Sequence, residues 1–146
     1  MTSDEMSHAV QQFFLEADAL QWKKNLDYHP DRIAFLEILR TAFECNITVE
    51  QDLWSKIRKQ YIALHSYVIH GHTESEPPRQ RMIDISVYMA MLAFWDRHKW
   101  RIVTDALFFM MAEQCQCSPP HKDKYGTCYV CQFATWLRIY ADTLTT

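Results

Sequence analysis

Glycine is nearly missing from this chain: Gly71 and Gly126 are the two in 146 residues. A β-sandwich or a doubly wound α/β fold needs many more for its turns, so the scarcity favours helices joined by short loops. Long apolar runs are also missing. The longest, Val87 to Trp95, falls far short of the roughly 20 apolar residues that cross a bilayer, and no membrane partner is expected. The opening Met1-Thr2-Ser3-Asp4-Glu5 is acidic and polar, unlike a signal peptide. There is no excess of positive charge: the formal net charge is −3, which counts against a dedicated nucleic-acid binder. Finally, no nucleophile with a positioned base, no glycine-rich phosphate loop and no carboxylate pair on one helical face can be read. A non-enzymatic protein is expected.

What is present points to a folded chain. Hydrophobic residues make up 49% and aromatics 14%, well above a disordered tail, and the length suits a single domain spanning 1–146. Met6, Val10, Phe13, Phe14, Ala17 and Leu20 recur at steps of three and four, predicting an amphipathic helix that opens near Ser3 or Asp4. His29-Pro30-Asp31 predicts the start of a second, with Ile33, Leu36, Leu39, Ala42 and Phe43 as its apolar face. Thr48-Val49-Glu50-Gln51 reads as a capping box. The helix it opens is predicted to bury Trp54, Ile57, Tyr61, Leu64, His65 and Val68, and to stop at Gly71 in the left-handed region. A polar, proline-paired linker follows at 72–78.

Arg79 to Gln114 holds no glycine or proline. Met82 to Trp95 is apolar nearly all round, and Asp96-Arg97-His98-Lys99 then interrupts the pattern. Charges on a core stripe are hard to bury, so two helices meeting at a turn are favoured over one that runs through. A last helix is predicted from about Cys128, with Val130, Phe133, Leu137, Tyr140 and Leu144 on one face. The expected fold is all-α, a compact bundle of five to six helices: a helical bundle over 1–114, then a zinc-binding segment and C-terminal helix over 115–146.

The five cysteines are odd in number, and four crowd into one segment: Cys115, Cys117, Cys128 and Cys131. Spaced disulfide frameworks look different, and an intracellular, reducing compartment, cytoplasmic or nuclear, is expected. Zinc takes four soft or borderline ligands in a tetrahedron. Cys128 and Cys131, two residues apart at a turn entering a helix, can reach one ion, and the helix N-terminus favours thiolates there. Cys115 and Cys117 can converge from the piece leaving the previous helix, redirected by Pro119 and Pro120, with Gly126 for the sharpest turn between the pairs. His121 either replaces a cysteine, Cys115 or Cys117 first, or sits at the loop tip. The bland alternatives are loose thiols or a redox pair at Cys128 and Cys131. Four exposed thiols would invite oxidation, and a thioredoxin-like pair needs a preceding strand. A closed, structural zinc site is the expectation.

Weaker signals carry less. His70-Gly71-His72 reads as a helix terminus, His65 and His98 as packing residues, and the lone Cys45 as a buried small hydrophobe. Arg97, Lys99, Trp100 and Arg101 form a basic knot with an aromatic that could contact phosphate and stack a base, joined by Arg79 and Arg81. Asp96 and Asp105 sit among these charges and favour a solvated patch. Trp22 and Trp136 lie off the apolar stripes, and Trp136 with Arg138 is expected to face outwards as an anchor pair for a partner.

The run Gln114-Cys115-Gln116-Cys117-Ser118-Pro119-Pro120, then Cys128 and Trp136-Leu137-Arg138-Ile139, resembles a stretch of the large adenovirus early-region-four regulatory protein. There a Cys-His-Cys-Ser-Ser-Pro run precedes another cysteine and a Trp-Phe-Arg-Met segment. The likeness covers roughly thirty residues, and the helical array before it has no counterpart in that longer family. A looser likeness is to small lentiviral and parvoviral accessory proteins, tryptophan-rich helices closed by a cysteine metal site. These resemblances imply a viral regulatory protein that binds host proteins. The leading expectation is therefore a zinc-stabilised adaptor that docks a host protein and redirects or inhibits it, and the alternative is a nucleic-acid-binding regulator using the Arg97–Arg101 patch.

Overall fold

The computed structural model describes residues 1–28, 33, 35–71, 76–113 and 128–144, with the side chains of 22–28 left aside. Among them all regular structure is helical: α1 (Ser3–Tyr28), α2 (Leu36–Cys45), α3 (Val49–His70), α4 (Pro78–Ala112) and α5 (Tyr129–Leu144). No strand occurs among the described residues, and none of the helices is long and apolar enough to cross a membrane.

Local chemistry accounts for four of the helix ends. Thr2 and Glu5 form a capping box on α1: the Thr2 amide donates to Glu5 Oε2 (3.0 Å) and the Glu5 amide to Thr2 Oγ1 (3.1 Å). The same exchange opens α3, the Thr48 amide donating to Gln51 Oε1 (2.9 Å) and the Gln51 amide to Thr48 Oγ1 (3.0 Å). Gly71 ends α3 at φ 79°, its amide donating to Tyr67 O. Asn46 ends α2 in the left-handed region at φ 54°, and the Ile47 amide reaches back to Ala42 O, a Schellman-type closure that asparagine tolerates. The His29-Pro30-Asp31 start lies outside the described residues; α2 opens after Phe35, itself left-handed at φ 67°. That is costly for a bulky residue, and the Phe35 ring is held by Phe94 (6.2 Å) and Trp95 (5.8 Å). The interruption at 96–99 appears as a kink in α4, with His98 at φ −125°, ψ 24°. Two helical stretches meet there without an intervening loop.

The chain divides into two units. Unit 1 comprises 1–32 and 53–93, and unit 2 comprises 33–52 and 94–146. In unit 2 the helix α2 packs on α5, and the core holds Leu36, Leu39, Val49, Trp95, Val103, Ala106, Phe133 and Leu137, all essentially inaccessible. Unit 1 buries Ala17, Leu53, Ile57 and Ile83. Two predicted core faces are corrected here. On α1, Met6, Val10 and Phe14 are exposed, and on α3 so are Trp54, Tyr61, His65 and Val68. Val49, Leu53 and Ile57, four residues apart, form the buried line of α3 instead. Both helices carry apolar residues on more than one face, so periodicity announces a helix without selecting the inward side.

Candidate metal centre

Cys128 stands at the entrance of α5. Its carbonyl accepts the first helical bond, from the Gln132 amide at 3.0 Å, which makes it the capping residue and puts Cys131 in the first turn. The two sulfurs are 3.7 Å apart. A disulfide would hold them at about 2.05 Å, whereas two thiolates at about 2.3 Å from a tetrahedral ion lie about 3.8 Å from each other. Cys131 is 7% exposed and Cys128 half-buried. The separation is that of a thiol–thiol hydrogen bond from Cys128 to Cys131, and equally that of two ligands on one tetrahedral edge, beside the amides of a helix start.

The helix carrying this pair is anchored on α2. Between the cysteines, the Tyr129 hydroxyl donates to Glu44 Oε1 at 2.7 Å. Burial, reinforced by the Glu44 carboxylate, pushes that phenol well above its ordinary range, so it stays a donor. Phe43 of α2 meets three rings of α5: Phe133 at 5.4 Å, Trp136 at 5.7 Å and Tyr129 at 5.8 Å. Phe133, Leu137 and Ala141 complete the buried line of α5. A metal at its first turn would thus sit at the end of a helix already seated by aromatic contacts.

Cys115, Cys117 and His121 lie outside the described residues. Among the described residues no group of three or more His, Cys, Asp or Glu gathers as a metal site; of the predicted ligands, Cys128 and Cys131 are described. Cys45, expected as a buried hydrophobe, is exposed at the end of α2. Trp136 is half-buried, stacked on Phe133 (6.1 Å) and tilted against Tyr140 (5.1 Å), instead of facing wholly outwards; from its off-stripe position it still touches Phe43 of the neighbouring α2 (5.7 Å). Arg138 is exposed.

The basic knot is balanced by acids. Lys99 Nζ lies 3.5 Å from Glu50 and 3.7 Å from Asp96, and Arg101 Nε 3.9 Å from Asp105. Arg97 and Trp100 are exposed. Arg79 pairs with Glu16, and Arg81 with Glu76 (3.6 Å) and Gln60 (2.8 Å). The ring of His98 packs on Phe94 at 4.6 Å; His65 and His70 are exposed.

One feature was not legible in the sequence. The Trp95 indole N–H, on a side chain with no exposure, donates to Glu50 Oε1 at 2.7 Å. Burial raises the Glu50 carboxyl, but the hydrogen bonds and the Lys99 charge outweigh it and hold the group below its usual range. The partners are 45 positions apart, and no local spacing announces such a pair. In comparison with known proteins, no family model, curated protein or solved structure matches this chain.

Proposed function

We propose that this chain is a non-enzymatic helical adaptor, stapled by one zinc ion on Cys128 and Cys131 with two further ligands drawn from Cys115, Cys117 and His121, which binds a protein partner and redirects or inhibits it. The observation that carries the reading is the 3.7 Å separation of the Cys128 and Cys131 sulfurs at the first turn of α5. Binding energy at a structural zinc is folding energy, so the ion would fix where α5 begins, and with it the outer face that presents Arg138, Ile139 and the open edge of Trp136. The resemblance of the cysteine segment to viral regulatory proteins is what suggests a host protein as the partner. The acids paired with Lys99 and Arg101 favour this reading over the nucleic-acid alternative.

The test uses the full chain purified without chelator, with partner capture read by mass spectrometry. About one zinc per chain is expected. Cys128→Ser should lose the zinc, keep most helical circular dichroism and lose the captured partner. Arg138→Glu should keep zinc and stability while weakening capture. Capture that survives Cys128→Ser undiminished would overturn the zinc-dependent adaptor.

A further inference from the structure

Unit 1 leaves two apolar helix stripes open. On α1, Met6, Val10 and Phe14 follow one another at steps of four, each about half exposed. On α3, Trp54, Tyr61 and Val68 recur at steps of seven and are 58%, 59% and 70% exposed. Arg58 lies between the first two on the same face, four after Trp54 and three before Tyr61. Single exposed apolar residues are ordinary; aligned rows of them on two helices of one unit are not.

The charges of the two helices are opposite in sign, and those beside the stripes themselves are Asp18 on α1, four after Phe14, and Arg58 on α3. From Ser3 to Gln21, α1 carries Asp4, Glu5, Glu16 and Asp18 and no lysine or arginine. From Leu53 to His70, α3 carries Lys56, Arg58 and Lys59 and no aspartate or glutamate. Glu16 is taken by Arg79, whereas among the described residues no carboxylate pairs with Arg58 or Lys59. The α1 stripe runs about 12 Å and the α3 stripe about 21 Å, so the first can be wholly covered by the second.

We propose that two copies of this chain associate through unit 1, the acidic, apolar α1 stripe of one copy lying on the basic, apolar α3 stripe of the other, and reciprocally. One chain bears both halves of the contact, and a two-fold arrangement makes it twice. Trp, Tyr and Arg on the α3 stripe are the residue types that dominate such interfaces. The inference is independent of the zinc reading, because Cys128→Ser leaves both faces intact.

Sedimentation velocity of the full chain over a wide concentration range tests it. The wild type should dimerise. Phe14→Asp on α1 and Tyr61→Asp on α3 should each give monomer, with helical circular dichroism retained. The reversal Arg58→Glu, on an exposed position, should weaken the dimer by about tenfold or more. Adding Asp18→Lys, also exposed, to that variant should restore it. A wild type that stays monomeric throughout would overturn the proposal, as it would if another segment or a foreign protein covers these stripes. So would a dimer that ignores either aspartate substitution, or an Arg58→Glu variant that Asp18→Lys fails to rescue.

Discussion

Among the described residues Trp95 is the largest side chain fully withdrawn from water, and its one polar atom depends on one carboxylate, Glu50. Glu50→Ala leaves a buried indole N–H without its acceptor, and chemical denaturation should show a loss of about 1–3 kcal/mol. Glu50→Gln keeps an acceptor oxygen and gives up the charge facing Lys99, so it should cost less. The carboxyl is held below its usual range in the folded chain. Its contribution is therefore complete above the unfolded value of about 4.3 and is lost as pH falls through the folded one; Glu50→Gln should flatten that acid limb. Tyr140 works in the opposite direction. Burial and the neighbouring Glu50 push its phenol up to about 12. From about pH 10 upward the unfolded chain ionises this tyrosine while the folded chain does not, so stability falls with rising pH across that window. For a half-buried ring the effect is at most about 1 kcal/mol after solvent screening, and Tyr140→Phe should remove it.

At the scale of elements, α5 is seated on α2 by Phe43 and by the Tyr129–Glu44 hydrogen bond, and a zinc at its first turn would add to that seating. Phe133→Ala, in the fully buried line, should cost about 3–5 kcal/mol, and Phe43→Ala, half-buried, somewhat less. Thr48→Ala removes the α3 cap and should cost about 1 kcal/mol. That cap was legible because Thr48 and Gln51 carry their chemistry in the sequence, as does Gly71 at the other end of the helix. The break near His98 was legible for a related reason: charges interrupting an apolar run have to reach water. Inward faces were not. Trp54, Tyr61 and Val68 have the spacing of a core stripe, yet Val49, Leu53 and Ile57 lie inside, because which face is covered depends on the neighbouring helices and not on the helix's own period.

At the scale of the whole molecule, burial is uneven. Unit 2 holds Trp95, Phe133, Leu36, Leu39 and Leu137, whereas in unit 1 the buried hydrophobic residues among those described are Ala17, Leu53, Ile57 and Ile83. Hydrogen exchange should accordingly be slowest in α2, α5 and the part of α4 after His98, and fastest in the first turns of α1. Of the candidate metal centre, the helix opening at Cys128 was legible in the sequence, while the 3.7 Å separation of the Cys128 and Cys131 sulfurs could be seen only in three dimensions. Zinc K-edge absorption on the full chain, purified without chelator, tests that centre most directly. The expected spectrum has roughly three to four sulfurs at about 2.3 Å from zinc, and Cys128→Ser should give no zinc edge. Protein that carries no zinc, or zinc surrounded by oxygen and nitrogen alone, would contradict the account.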